Sequence, residues 1–199
     1  MQAARFFSAV FHPFCIPLIG MSCLLYGHTM LALFSTVSKL YVLWVLAALT
    51  LIMPFALLRA LRWTGIFRWL PDDERGRQAL MMLVFLVCYL GAGGMLWHFL
   101  AVDMIRRIFF GGIMLLAIGF GVNKYWPVGL HLMAIGAMTG FLFSTQVTRF
   151  GEVTGLLLVT IAAAGVLGSA RIYLGRNDLA QVGIGFGIGF WLMFLFTFL

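Results

Sequence analysis

The sequence predicts an all-α fold, a polytopic transmembrane helical bundle of about six to seven spans. Of its 199 residues, 63% are hydrophobic and only 10% are charged, whereas a soluble domain carries about 25% charged residues. Apolar runs of about 20 residues recur along the chain, which is the length that a helix needs to cross a bilayer. We therefore expect an integral membrane protein, located in the inner (plasma) membrane of a bacterium.

The first two predicted spans form a helical hairpin. Pro13 and Pro17 predict a kinked entry into span one, over 14–34. Span two covers about 41–61, and only the short polar stretch 35–39 separates the two. Residues 1–61 are thus predicted to be an N-terminal region with two transmembrane helices.

Residues 62–199 are predicted to form a core of five further spans. The longest polar loop, 62–78, contains Pro71-Asp72-Asp73, a turn and helix-start signal. The last span carries glycines at every second position from Gly183 to Gly189, two overlapping G-x-x-x-G registers that favour close helix contact. Such glycine-rich helix faces could also form the contacts of a homo- or hetero-oligomer. The predicted core spans are about 79–100, 108–122, 128–146, 153–169 and 179–199.

Seven spans would place three polar segments at one membrane face: 62–78, 123–127 and 169–178. That face would hold nine basic residues against four on the other, which the positive-inside rule assigns to the cytoplasm. Four of these nine basic residues are candidate phosphate ligands. Without them, five basic residues remain on this face against four on the other. The orientation of the face is therefore left open.

Composition also excludes several kinds of function. The net charge of +7 comes without a basic tract, so it fits basic loops that meet anionic lipid headgroups and does not indicate nucleic acid. The three cysteines lie in apolar runs at no metal-ligand spacing. A Walker loop, G-x-S-x-G, H-E-x-x-H and paired intramembrane carboxylates are all missing from the sequence. We expect neither a cofactor nor a metal.

The polar cluster between the last two spans carries the most informative pattern. Arg171 follows Ala170 at the end of an apolar run, with Asn177 six positions later and Gln181 four positions after that. This resembles the third motif of the type 2 phosphatidic acid phosphatase (PAP2) superfamily, where the Arg is followed by a nucleophilic His and then an orienting Asp. The resemblance implies that Arg171 binds phosphate and that Asn177 and Gln181 are degenerate catalytic positions.

Two weaker likenesses extend the resemblance over about residues 68–190. Val128-Gly129-Leu130-His131 is similar to the second motif, Pro-Ser-Gly-His, with only the His kept; it implies that His131 is the general acid if the protein is active. Arg68 and Arg75, with six residues between them, loosely resemble the first motif. The resemblance implies Arg75, Arg77 and Lys124 as further phosphate ligands. A solvated basic loop and a hydrogen-bonded interfacial histidine are the simpler interpretations of these residues.

The resemblance implies a PAP2-like core that binds a membrane lipid through its phosphate or diphosphate headgroup. An amide at Asn177 cannot form a phosphoenzyme, so we expect a weak or inactive lipid phosphatase, a pseudoenzyme. Whether it catalyses at all stays open. The alternative is a non-enzymatic structural or transport-associated membrane subunit, for which discontinuous helices and a polar midplane would be typical.

Overall fold

The computed structural model describes residues 13–63, 74–97, 103–126 and 128–199. Over these ranges the chain is almost entirely helical. Two very short strands are β1 (His28–Thr29) and β2 (Gly151–Glu152), a 3-10 turn covers Met30–Leu33, and a π-helical turn covers Ala47–Ile52. The α-helices are α1 (Ile16–Tyr26), α2 (Thr36–Leu46), α3 (Met53–Trp63), α4 (Glu74–Met95), α5 (Asp103–Tyr125), α6 (Leu130–Val147), α7 (Thr154–Tyr173) and α8 (Leu179–Phe198).

Among the described residues, six helical stretches are long and apolar enough to cross a membrane. One is Thr36–Leu61, in which α2 and α3 are joined through the π-helical turn; another is Gly76–Met95 within α4. The other four are the whole of α5, α6, α7 and α8. The prediction of an all-α, membrane-spanning chain is confirmed.

The first predicted span, 14–34, is not one continuous helix. Helix α1 ends at Tyr26 after 11 residues, which is roughly 16 Å at 1.5 Å per residue and about half the hydrocarbon thickness of a bilayer. Gly27 then takes an extended backbone, so close to the carbonyl of Cys23 that a Cβ at this position would clash with it. Only glycine fits this turn, and the helix stops there.

The strand pair β1–β2 ties the end of α1 to the connection between α6 and α7. The pairing is antiparallel, with His28 opposite Glu152 and Thr29 opposite Gly151. The Thr29 hydroxyl donates a hydrogen bond to the Leu24 carbonyl oxygen at 2.6 Å. Because unpaired backbone groups are costly once removed from water, this pairing stabilises a segment that leaves the helix early.

The π-helical turn lies in the middle of the second predicted span, and Pro54 gives the reason for it. Proline has no N–H to donate, and its ring collides with the carbonyl four residues earlier, here that of Thr50. A wider turn relieves that collision. The buried Thr50 hydroxyl bonds the Leu46 carbonyl oxygen at 2.9 Å and reaches the Phe14 carbonyl oxygen at 3.4 Å. The turn thereby contacts the chain just ahead of α1.

Helix α5 extends beyond the predicted span 108–122 at both ends. Its first turn contains Asp103, which forms an ion pair with Arg106, and its last turn contains Lys124. An acid at the N-terminus and a base at the C-terminus complement the helix dipole, so these charges continue the helix. Residues predicted as loops on either side are therefore partly helical.

Helix α6 is the central helix of the bundle. In its membrane-length window 72% of the residues are buried, against 17–39% in the other five spans. A row of aromatic rings packs at the middle level, with centroids 5.0 Å apart for Phe14 and Phe85, 5.7 Å for Phe85 and Tyr89, and 5.1 Å for Tyr89 and Phe109. Helices α1, α7 and α8 pack directly against α6, whereas α2 and α3 pack against α1 and α4. The other five spans expose most of their surface, as expected for helices that face lipid.

Candidate functional site

The turn between α7 and α8 folds the chain back on itself at Gly175. The Gly175 N–H bonds the Ile172 carbonyl oxygen at 2.9 Å, and the Arg176 N–H bonds the Arg171 carbonyl oxygen at 3.1 Å. These two bonds, with Gly175 at φ +64°, make a Schellman helix end. The turn returns Asn177 to the last turn of α7, where Arg171 lies.

Three side chains predicted from the third-motif resemblance form one hydrogen-bonded chain. Arg171 Nε donates to Asn177 Oδ1 at 2.9 Å, and Asn177 Nδ2 donates to Gln181 Oε1 at 3.0 Å. Arg171 is 4% exposed and Asn177 is 7% exposed. We call these three residues the Arg171 cluster. Burial of a guanidinium costs free energy unless hydrogen bonds compensate it, and Asn177 supplies one of them.

Asp178, next to the cluster, caps helix α8. Its Oδ1 accepts from the Gln181 N–H at 2.7 Å, and its own N–H approaches Gln181 Oε1 at 3.4 Å. This reciprocal pair is a capping box. Gln181 is therefore held in place from two sides, by the cap and by Asn177. The carboxylate of Asp178 serves the helix start and is not aligned behind Asn177.

The start of α6 lies directly against the Arg171 cluster. A Cβ built on Gly129 would be 3.4 Å from Asn177 Nδ2 and 3.6 Å from the Gln181 carbonyl oxygen. No described side chain caps this helix start, so its first N–H groups form a positive helix end beside the cluster. His131, the predicted general acid, is half-buried in this first turn.

Glycines hold α6 and α8 in parallel contact, which fixes that arrangement. A Cβ on Gly136 would clash with the Phe186 carbonyl oxygen, one on Gly140 with that of Phe190, and one on Gly189 with that of Met133. Backbones this close make Cα–H···O contacts and rely on small residues. One predicted G-x-x-x-G register, through Gly185 and Gly189, is thus used inside the chain. An oligomer through the other register stays a prediction.

Helices α4 and α5 bring two more polar side chains to the same end of the bundle. A Cβ on Gly119 would lie 3.1 Å from Met133 Sδ and 3.6 Å from Met82 Cε, so α4, α5 and α6 meet at that level. One turn nearer the polar end are Gln78 on α4 and Asn123 on α5. Asn123 is 2% exposed. Sequence reasoning treated Asn123 as part of a polar break; in the structure it faces inward.

The structure therefore gathers some predicted site residues and leaves others apart. Arg171, Asn177 and Gln181 are bonded together, and His131 is in the adjoining helix turn. Lys124 is exposed, with its Nζ 5.7 Å from the centroid of the Tyr125 ring. Arg77 is exposed on α4. Arg75 belongs to the first turn of α4, and its side chain, like the whole of Arg68, lies outside the described residues.

The groups at the cluster are of the kind that can bind an anion. A guanidinium presents five N–H donors in a planar fork that matches phosphate oxygens, and the α6 helix end adds positive partial charge. Asn177 offers an amide where phosphoryl transfer through a covalent intermediate would need a nucleophile. Within the described ranges, no group of three His, Cys, Asp or Glu residues could hold a metal ion.

No protein-family model matches the chain, and neither does any curated protein or any solved structure.

Proposed function

We propose that this chain binds a membrane lipid by its phosphate or diphosphate headgroup at the Arg171 cluster, and hydrolyses the phosphoester weakly or not at all. The observation that carries the proposal is a buried guanidinium in a hydrogen-bonded chain at the end of a transmembrane helix. Charged side chains at membrane depth are costly and usually mark function. A purely structural position would accept an apolar residue at lower cost.

Three further features fit a phosphate ligand. The helix start at Gly129 adjoins Asn177, and helix N-termini favour anions. His131, in that same turn, is a donor to a leaving or bridging oxygen. The spacing of Arg171, Asn177 and Gln181 resembles the PAP2 third motif, and their hydrogen bonds link the same three positions. Arg75, Arg77 and Lys124 stay proposed ligands for the outer oxygens.

The proposed lack of turnover follows from the two residues that differ from the catalytic pair of the PAP2 third motif. An amide nitrogen has no lone pair available for attack on phosphorus, so Asn177 cannot act as a histidine would. Gln181 carries no charge to stabilise an imidazolium at the neighbouring position. The protein would retain the binding half of the reaction, as a headgroup-binding membrane protein.

The test compares two arginines at the same end of the bundle. Purified protein in lipid nanodiscs is titrated with phosphatidic acid, with phosphatidylcholine as the reference lipid. Charge-assisted hydrogen bonds contribute about 1.5–3 kcal/mol, so Arg171→Gln should weaken phosphatidic acid binding by about tenfold or more. Arg176→Gln removes the same charge from an exposed position five residues away and should change affinity by less than about threefold.

Equal losses from the two variants would contradict the proposal and indicate general membrane electrostatics. Because removal of a buried arginine can unfold the protein, thermal unfolding is measured for each variant. Arg171→Lys keeps the charge and loses the planar fork, so it should be folded and still bind more weakly than wild type. Phosphate release from phosphatidic acid provides a second readout. Robust wild-type turnover that survives both His131→Ala and Asn177→Ala would show that the site is wrong.

A further inference from the structure

A half-enclosed apolar cavity of about 100 Å³ lies inside the bundle between α1, α4, α5 and α6. On α6 the lining residues recur every three or four positions, so they form a single stripe along one face of the helix. Eleven steps of 1.5 Å make that stripe roughly 16 Å long. The α6 lining residues are Leu130, Met133, Ala134, Ala137, Met138 and Phe141.

On the α1 wall of this cavity, one position lacks a side chain. Gly20 is buried in α1 and lines the cavity, yet a Cβ built on it would have no heavy atom of the described residues within 4 Å. Protein interiors are normally close-packed, so a buried glycine that faces open space leaves room for another molecule. Met21, Met133, Met138 and Met193 also line the cavity. Their unbranched, flexible side chains adapt to a guest of irregular shape.

The stripe of α6 that lines the cavity begins one residue after the position that contacts the Arg171 cluster. Leu130 lines the cavity, and the preceding residue, Gly129, is the one that contacts Asn177. A ligand with its charged head at the cluster would therefore have its hydrocarbon chain next to the start of the α6 stripe. The cavity is smaller than the engineered cavity of about 150 Å³ that binds benzene. Its volume admits a few methylenes of one linear hydrocarbon chain, and its open side leaves room for the rest of a longer chain.

We infer that the ligand is an amphiphile with a phosphate head and a single linear hydrocarbon chain in this cavity. The inference rests on the proposed function for the head, whereas the cavity geometry alone supports the chain. It narrows the ligand class: at least one chain must leave the bilayer and lie against Gly20 and the α6 stripe.

The experiment fills the cavity from the Gly20 side. Gly20→Leu adds a side chain into the cavity. Gly165→Leu adds the same side chain to an exposed position of α7, where a Cβ also meets no described atom within 4 Å. The proteins are held in an amphipathic polymer, so that no detergent chain competes. Binding of three probes is measured by calorimetry: inorganic phosphate, n-alkanols from butanol to dodecanol, and the matching n-alkyl phosphates.

In wild type the affinity for alkanols and alkyl phosphates should rise by about tenfold for each two methylenes that enter the cavity, since one buried methylene contributes about 0.8 kcal/mol. Gly20→Leu should weaken dodecanol and dodecyl phosphate by about tenfold or more and leave inorganic phosphate unchanged. Gly165→Leu should match wild type for every probe. Gly20→Ala, which adds one methyl group, should be intermediate and is the fallback if the leucine variant does not fold.

Wild-type affinity of Gly20→Leu or Gly20→Ala for dodecanol and dodecyl phosphate would overturn the inferred chain site and leave the proposed function standing. A different outcome would overturn the proposed function: dodecanol binds and depends on Gly20, but inorganic phosphate does not bind and dodecyl phosphate binds no tighter than dodecanol. That outcome would also refute the inference that the ligand has a phosphate head.

Discussion

Replacement of Gly136 by alanine should separate α6 from α8. A Cβ at this position would overlap the Phe186 carbonyl oxygen and lie 3.0 Å from the Phe186 carbonyl carbon and Cα. These are backbone atoms of a helix, so no side-chain rotation can relieve the overlap. The two helices must move apart, and the contact between Gly129 and Asn177 would open with them.

The expected size of the effect follows from three terms. Overpacking of a tight contact costs about 1–3 kcal/mol, and each lost Cα–H···O contact costs roughly 0.5–1 kcal/mol. Against these, glycine to alanine inside a helix contributes about 0.5–1 kcal/mol of stability. We therefore expect Gly136→Ala to lower the free energy of unfolding by about 1–3 kcal/mol. Gly187→Ala on α8, where a Cβ meets no atom of the described residues within 4 Å, should show only the favourable helix term.

The assay is reversible unfolding in mixed micelles, read by far-UV circular dichroism, with wild type and both variants under identical conditions. Phosphatidic acid binding, measured in parallel, should weaken in Gly136→Ala and stay unchanged in Gly187→Ala. The reasoning would be refuted if Gly136→Ala were as stable as Gly187→Ala. That result would mean that α6 and α8 do not approach as closely as their backbones do here.

Two further predictions concern the Arg171 cluster and its turn. The double variant Asn177→His with Gln181→Asp should release phosphate from phosphatidic acid faster than either single variant, because a histidine nucleophile needs the carboxylate that orients it. A single variant as fast as the double variant would contradict this role of the carboxylate. Gly175→Ala should lower the free energy of unfolding by about 1–2 kcal/mol, since an L-residue is disfavoured at positive φ. Gly165→Ala is its control, and equal stability of the two would disprove the role assigned to the turn.

Hydropathy was sufficient to predict the helices but not where they end. The apolar run 14–34 has the length of a span, yet α1 stops at Tyr26 because Gly27 turns the backbone and β1 pairs with a strand far along the chain. Hydropathy measures transfer of residues into lipid and is blind to such long-range pairing. The π-helical turn did have a local signal in Pro54, but a proline alone does not distinguish a kink from a wider turn.

The candidate site was predicted best where its residues are close in sequence. Arg171, Asn177 and Gln181 are spaced so that one helix end and the next helix start bring them together, and the structure bonds all three. Lys124 and Asn123 show what the sequence could not predict, namely which of two neighbouring polar residues is buried. Once α5 continues through this segment, neighbouring residues point about 100° apart, so one is buried and the other exposed. Which of them faces inward depends on the helix phase, which a predicted loop does not have.

The pairing of β1 with β2 has a consequence for how the protein is made. Thr29 and Gly151 are about 120 residues apart in the chain, and ribosomes add roughly 5–20 residues per second. Helix α1 therefore emerges some six to twenty-five seconds before its strand partner exists. With 11 residues it is too short to cross the bilayer alone, so during that interval the insertion machinery must hold an apolar half-helix. A chaperone or insertase requirement that disappears when the β2 segment has been synthesised would be the cellular sign of this late closure.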